Sequence, residues 1–190
     1  MAINRSPVMT VEDYFEWELR QERKHEYIDG AVYEMPGVSN KHSLITINVT
    51  LALGSAIDRS RYTMHTSEMR LQISPTRYVY PDLSIVRGES AFRDASEYNM
   101  LNPCFVLEVT SPSSITRDRS EKLSYYYSVP SIEACLIVDQ HRICAELHTR
   151  GDSDWLSEEF AELTDVILLK MLECELPLDQ VYRDVVFDAR

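Results

Sequence analysis

Two apolar runs that each carry a single carboxylate place the strongest constraint on how this chain folds. Asp82 lies in the run 80–86 (YPDLSIV), and Glu108 lies in the run 103–110 (PCFVLEVT). Short apolar runs rich in β-branched residues are typical of strands buried inside a sheet. An ionised carboxylate is very costly to bury unless it meets a cationic partner or a metal ion. We therefore expect Asp82 and Glu108 to share one cation at the end of a sheet.

A divalent metal ion is the cation that best suits this pair. Magnesium prefers an octahedral shell of oxygen atoms, so Asp82, Glu108 and the backbone carbonyl of Val109 form a suitable ligand set. With Mg²⁺ or Mn²⁺ in that position, a metal-activated water could attack a phosphodiester. The alternative is that each carboxylate pairs with an arginine such as Arg117 or Arg119, or lies exposed at the end of its strand.

Further candidates lie on neighbouring predicted elements. Lys122, on the helix predicted after the Glu108 run, could orient the water, stabilise developing charge or accept a proton, or it could be an exposed helix lysine. Glu26 and Asp29 lie on an early hairpin, and either could reach the metal or remain solvated. His42 opens a long helix and could touch the site, although a lone helix histidine is more often structural.

Length and charge limit the function classes. The 190 residues, 44% of them hydrophobic, predict a single domain spanning 1–190 with its own core. The net charge of -12 argues against strong non-specific binding to DNA, because phosphate binding draws on clustered Lys and Arg. The acidity is uneven, since 152–165 holds only acidic charges and 59–77 is rich in arginine. A local basic surface is therefore compatible with the acidic total.

The cysteines and the apolar segments bear on the compartment. The 4 cysteines form no C-x-x-C pair, so we expect buried free thiols rather than disulfides or a zinc site. Residues 1–10 lack the apolar core of a secretory signal, and 166–172 is too short to span a bilayer. We expect a cytoplasmic protein without membrane association.

The pattern of elements predicts an α/β (α+β) fold with a mixed sheet flanked by helices. A strand, helix, strand order from 103 to 139 favours a parallel pair of strands joined by a crossover. The tyrosines at 125–127 are expected to pack in the core rather than stack on bases. The predicted helices are about 11–19, 40–58 and 117–127, and a short final helix or turn begins within 175–179 and carries Val181, Tyr182 and Val185 on its inner side. The predicted strands are a hairpin in 25–35 around Asp29-Gly30, then 62–73, the Asp82 and Glu108 runs, 132–139, 141–149 and 155–160.

These segments together resemble the Uma-type restriction endonuclease family within the PD-(D/E)XK nuclease superfamily. The resemblance covers nearly the whole chain. The matching segments are 26–30 (EYIDG), the helix opened by His42, Pro81-Asp82, 106–113 (VLEVTSPS), 118–123 (DRSEKL) and 175–178 (ELPL).

The resemblance implies a restriction-endonuclease-like fold and metal-dependent cleavage of DNA. It implies a divalent ion held by Asp82 and Glu108, with Glu26 joining the metal environment. The superfamily pattern places a lysine two residues after the second acid, where this chain has Thr110. The resemblance therefore implies that the lysine comes from the following helix, as Lys122.

Three functions are compatible with the sequence. The first is a Mg²⁺- or Mn²⁺-dependent DNA endonuclease, in which duplex cleavage by two nicks would be consistent with a homodimer. The second is a non-catalytic or partner-dependent interaction module on a nuclease fold, which the acidic charge and Thr110 favour. The third is a metal hydrolase that acts on a smaller phosphoester.

Overall fold

A computed structural model describes residues 9–110 and 121–187. The helices are α1 (Val11–Glu18), α2 (Asn40–Ala56), α3 (Leu123–Ser128) and α4 (Leu178–Val181), with a 3₁₀ turn at Lys170–Leu172. The strands are β1 (His25–Ile28), β2 (Ala31–Glu34), β3 (Tyr62–Thr66), β4 (Arg70–Ser74), β5 (Arg77–Val79), β6 (Leu83–Arg87), β7 (Asn99–Met100), β8 (Pro103–Thr110), β9 (Ala134–Asp139), β10 (Ala145–Arg150), β11 (Trp155–Phe160), β12 (Val166–Leu169) and β13 (Cys174–Pro177).

The described strands form a central six-stranded sheet in the order β11-β10-β9-β8-β6-β3. Strands β8 and β9 are parallel, which confirms the crossover predicted from the sequence, and the other pairs in this sheet are antiparallel. Every residue of β8 and β9 is buried. A strand covered on both faces needs a continuous apolar run, and this explains the pattern around Glu108.

A second sheet of the described residues has the order β2-β1-β5-β4-β7. Its hairpin β1–β2 turns at Asp29 and Gly30, which have φ values of 49° and 90°, as the predicted Asp-Gly turn requires. The expectation of one strand over 62–73 was wrong. A turn closed by the Met69 N–H and the Thr66 carbonyl separates β3 from β4, and the two strands join different sheets. Strand-like composition continues on both sides of this turn, so sequence pattern did not reveal it.

The central sheet is covered differently on its two faces. Helix α2 packs Ile45, Val49 and Leu53 into the larger core with Leu107 and Val109. The opposite face packs against α3, through Tyr126, and against the second sheet, through Leu71 and Val79. Because side chains alternate along a strand, Glu108 points to the α3 face, between two residues that point to α2.

A side-chain cap at Ser39 sets where α2 begins. The Ser39 hydroxyl accepts a hydrogen bond of 3.1 Å from the backbone N–H of His42, which places His42 in the first turn of α2. Residues 117–120 of the helix predicted at 117–127 lie outside the described residues, and the described helix α3 ends at Ser128, just before Val129-Pro130. The four cysteines are buried free thiols, as predicted. Among the described residues no helix is long and apolar enough to cross a membrane.

Phe105→Ala is expected to lower the free energy of unfolding by about 3–5 kcal/mol, because it removes a large side chain from a core that collapses only partly around the cavity. Phe105 is completely buried in β8. Urea unfolding measures the loss. Leu156→Ala, at a side chain that is 67% exposed on β11, is the control and should change stability by less than about 0.5 kcal/mol. A loss at Phe105 no larger than at Leu156 would contradict the packing described above.

Candidate active site

Asp82 and Glu108 meet where β6 begins beside β8. The Asp82 N–H donates to the Leu107 carbonyl at 3.1 Å, and the Val109 N–H donates to Asp82 Oδ2 at 2.7 Å. The register Leu83↔Leu107 continues this pairing along the two strands. Asp82 is therefore held against β8 on either side of Glu108, by its own backbone N–H at Leu107 and by its carboxylate at Val109.

The Val109 carbonyl faces the same edge of β8 as Asp82. In an extended strand the N–H and C=O of one residue point to the same side, and the Val109 N–H points at the Asp82 carboxylate. A backbone oxygen is thus directed toward the position where the Asp82 side chain lies.

Glu108 is a buried carboxylate with two donors. Its Oε1 accepts a hydrogen bond from the Tyr126 hydroxyl, and Lys122 Nζ lies 3.2 Å from the same oxygen. Burial raises the pKa of Glu108 to about 8, and the Asp82 and Glu26 carboxylates also raise it, whereas Lys122 and Tyr126 act in the opposite direction. The ionised form of Glu108 is therefore poorly compensated by the protein alone.

Glu108→Gln is expected to stabilise the metal-free protein more at pH 9 than at pH 4. A raised pKa means that the folded protein holds the Glu108 proton more tightly than the unfolded chain does, so stability present below about pH 4.5 is lost as the pH rises through about 8. Glutamine has no charge to bury and keeps an oxygen for Tyr126. Urea unfolding in EDTA at both pH values measures the difference.

The matched control is Glu133→Gln, which alters a half-exposed carboxylate bound to Arg87. This variant should not gain stability with rising pH. An equal effect of Glu108→Gln at both pH values would show that Glu108 titrates as it does in the unfolded chain.

Lys122 joins the two sheets at this point. Its Nζ lies 2.9 Å from Glu26 Oε1 on β1 as well as 3.2 Å from Glu108 Oε1 on β8. Glu26 lies on the opposite face of β1 from Tyr27, and its Oε1 also accepts from the Tyr80 N–H at 3.4 Å. The side chains of Lys122, Glu26 and Glu108 are only 10–13% exposed. The ammonium is therefore directed into the site rather than into solvent.

His42 contacts the Asp82 carboxylate. Its Nε2 lies 2.9 Å from Asp82 Oδ1, and both side chains are 12% exposed. The start of α2 is also tied to the end of β8, because Ser39 donates to Gln140 Oε1 and Gln140 Nε2 donates to the Thr110 carbonyl at 2.8 Å. These bonds hold the imidazole where it can orient the Asp82 carboxylate.

The structure brings together five of the side chains singled out from the sequence and separates one from them. Asp29 lies in the β1–β2 turn and pairs with Arg77 at 2.6 Å, away from Glu108. Arg117 and Arg119, the alternative partners of the acids, lie outside the described residues. Tyr126 was expected to serve only in the core, yet its hydroxyl binds Glu108. The one sequence signal for this role of Tyr126 was its position four residues after Lys122 on a predicted helix, which places the two side chains on the same helix face.

The donor set around Glu108 suits a hard divalent cation. Two carboxylates, those of Glu26 and Glu108, contact one ammonium, and the Asp82 carboxylate is close enough to Glu108 to raise its pKa, so negative charge is in excess. All of the candidate protein ligands are oxygen atoms, which Mg²⁺ and Mn²⁺ prefer. The residues therefore fit the ion that the sequence predicts.

A different cluster has the spacing of metal ligands but weaker chemistry for magnesium. Cys144, Glu146 and Glu159, among the described residues, place one ligand atom each within 4.8 Å of one another. Glu159 is exposed, and a thiol is a softer ligand than Mg²⁺ selects. Exposed acidic groups often approach one another without a metal, so this cluster carries no metal assignment.

The site opens into a cleft of about 800 Å³. Asp82 lies on its wall together with Tyr80 and Arg70, and the end of α1, the segment between α1 and β1, the segments after β2 and β3, and Tyr98 form the remainder. A phosphate-containing substrate could therefore approach Asp82 from solvent.

A known family model matches most of this chain. The model of the Uma2 family, described as "putative restriction endonuclease", matches residues 11–179. The chain belongs to the Uma2 family. The matched range includes Glu26, Asp82, Glu108 and Lys122, so the site lies within the part of the chain that defines Uma2 membership.

Similar proteins support the same assignment. Two uncharacterized proteins of Synechocystis sp. are 32% and 30% identical to this Uma2 chain, over 95% and 84% of it and over 95% and 91% of their own lengths. A crystal structure from Anabaena variabilis, described as a putative nuclease, superposes with a TM-score of 0.76 over 94% of this chain and 99% of that one, at 17% identity. At that identity the likeness shows the fold alone, and it confirms the predicted restriction-endonuclease-like mixed sheet flanked by helices.

Proposed function

We propose that the protein is a divalent-metal-dependent DNA endonuclease. The observation that carries this proposal is the convergence of Asp82, Glu108 and Lys122 at one end of the central sheet, in a chain of the Uma2 family. Two carboxylates beside a backbone carbonyl offer oxygen ligands to a divalent ion, and the lysine adds a positive charge, so the arrangement combines metal binding with charge stabilisation.

The residues divide into ligands and groups that act on the substrate. Asp82, Glu108 and the Val109 carbonyl would hold Mg²⁺ or Mn²⁺, and Glu26 would join them from β1. When bound, the ion supplies Lewis-acid chemistry, neutralising charge on phosphate oxygens and lowering the pKa of water. Tyr126 keeps one Glu108 oxygen in place by its hydrogen bond.

Lys122 would stabilise the negative charge that develops on the phosphate. Its ammonium is within 3.2 Å of Glu108, which supports the assignment of the family lysine to the helix after β8. Thr110, where the superfamily pattern has lysine, is buried, and its hydroxyl faces the Val138 carbonyl at 3.4 Å. The lysine that comes close to Glu108 is therefore Lys122, from the segment that leads into α3, and not a residue at position 110 of β8.

We propose that His42 orients the Asp82 carboxylate. The imidazole binds the Asp82 oxygen that the Val109 N–H does not use. Two contacts on one carboxylate leave it little rotational freedom, and a rigid ligand positions an ion more accurately than a mobile one.

Purified protein incubated with supercoiled plasmid and with linear DNA tests the proposal. We expect nicking or cleavage in Mg²⁺ or Mn²⁺ and none in EDTA. Titration calorimetry with each metal should show one site that Glu108→Gln removes. Absence of cleavage with either metal on either substrate would overturn the proposal.

Two outcomes would point to the other functions. Cleavage of a model phosphodiester without cleavage of DNA would favour a hydrolase of smaller substrates. Failure to bind either metal or DNA would favour an interaction module, which the net charge of -12 also favours. A single domain and a homodimer remain predictions, and sedimentation of the intact chain tests the second.

A further inference from the structure

Arg70 is a buried cation for which the described residues provide no carboxylate partner. The residue is 4% exposed, and its Nε and Nη1 donate no hydrogen bond within the described part of the chain. The guanidinium carbon lies 4.7 Å from the Phe15 ring centre, 5.1 Å from that of Tyr14 and 5.9 Å from that of Tyr80. The aromatic faces partly offset the desolvation of the charge, but Nε and Nη1 remain without an acceptor among the described residues.

Arg70 borders the same cleft as Asp82. The register Leu71↔Val79 between β4 and β5, continued by one residue, sets Arg70 opposite Tyr80, two residues before Asp82. Arg70, Tyr80 and Asp82 all line the cleft of about 800 Å³. A ligand in that cleft would therefore be in reach of the guanidinium and of the first metal-binding carboxylate.

Two acids that line the cleft together with Arg70 are already engaged. Glu18 accepts hydrogen bonds from the His25 N–H at 2.8 Å and the Tyr80 hydroxyl at 3.2 Å. Glu68 pairs with Lys24 at 2.7 Å, and Lys24 itself lines the cleft. An incoming anion would thus meet Arg70 without an ion-pair partner among the described residues, whereas Lys24 is already paired with Glu68.

We propose that the Arg70 guanidinium binds a phosphate of the substrate backbone in the cleft beside Asp82. The identity of the ligand rests on the proposed nuclease function, whereas the anion site itself does not. Arginine presents planar, forked donors that match phosphate oxygens, and packing against aromatic rings restricts its orientation before the ligand arrives. Arg70 would position the strand relative to the metal and would take no part in bond breaking.

Inorganic phosphate titrated into metal-free protein at constant ionic strength tests the site directly. We expect the wild-type protein to bind it and Arg70→Gln to bind at least about tenfold more weakly, a difference of about 1.4 kcal/mol. Arg93→Gln is the matched control, because Arg93 lies 4.8 Å from the same Phe15 ring, pairs with Glu12 and does not line the cleft. Equal phosphate binding by wild type and Arg70→Gln, or no binding by the wild type, would overturn the inference.

Arg70→Lys keeps a positive charge over the aromatic rings. It replaces Arg70→Gln as the test variant if circular dichroism shows that the glutamine variant does not fold. It should weaken phosphate binding several-fold, because lysine cannot form a forked pair. Wild-type affinity in a folded Arg70→Lys protein would argue against recognition by the guanidinium.

Binding and cleavage of an oligonucleotide duplex separate this inference from the nuclease proposal. Arg70→Gln should reduce the slope of log K against log salt by about 0.9, the value for one lost phosphate contact. It should also raise KM more than it lowers kcat. DNA cleavage with an unchanged salt slope would overturn the Arg70 site alone, whereas Arg70-dependent phosphate binding without any cleavage would keep the site and overturn the nuclease function.

Discussion

Asp82→Asn is expected to abolish metal-dependent DNA cleavage. The substitution keeps the shape of the side chain and one oxygen for the Val109 N–H, but removes the charge that would hold the ion. A catalytic metal supplies several kcal/mol of transition-state stabilisation, so we expect the rate to fall by roughly 10³-fold or more. Plasmid nicking in Mg²⁺ over a series of enzyme concentrations measures the loss, and calorimetry should show weakened metal binding.

Asp139→Asn is the matched control for this experiment. Asp139 is a buried carboxylate at the same end of the neighbouring strand β9, where it pairs with Thr110 in the parallel ladder and with Arg142. This variant should cleave at close to the wild-type rate. Equal activity of Asp82→Asn and the wild-type protein would show that the nuclease activity, if present, resides elsewhere in the chain.

Lys122→Met should lower cleavage by about 10²-fold or more while leaving metal binding intact or stronger. Loss of one preorganised donor to developing charge has an effect of that size. Removing the ammonium also removes a positive charge that lies 2.9 Å from Glu26 and 3.2 Å from Glu108, so a divalent ion meets less competition for these oxygens. Single-turnover cleavage and calorimetry with Mg²⁺ measure the two effects separately.

Two further variants make the Lys122 result specific. Lys170→Met alters an exposed lysine in the 3₁₀ turn and should behave as wild type. Lys122→Arg keeps a charge near the carboxylates and should retain more activity than Lys122→Met. Lys122→Met leaves the buried carboxylates of Glu26 and Glu108 without the ammonium that contacts both of them. Circular dichroism of this variant is therefore recorded with Mg²⁺ present, to verify that it is folded under the conditions of the cleavage assay. Weaker metal binding and weaker cleavage in equal proportion would show that Lys122 supports the fold of the site only.

Local pattern predicted much of the fold. The Asp29-Gly30 hairpin and the parallel pairing of β8 with β9 follow from composition and from connection order. The single strand expected over 62–73 failed because composition reports strand propensity, whereas membership of a sheet depends on distant partners. Strand β3 pairs with β6, and β4 pairs with β5 and β7.

The candidate site likewise combines residues that the sequence identified with contacts that only the tertiary structure showed. Asp82 and Glu108 are conspicuous in the sequence because each interrupts an apolar run, and burial of a lone carboxylate demands compensation wherever the strand lies. The contact of Lys122 with both Glu26 and Glu108, the hydrogen bond from Tyr126 and the position of Arg70 on the cleft required the packing of two sheets against α3. These contacts join residues from different elements, and local periodicity carries no information about the distance between such elements.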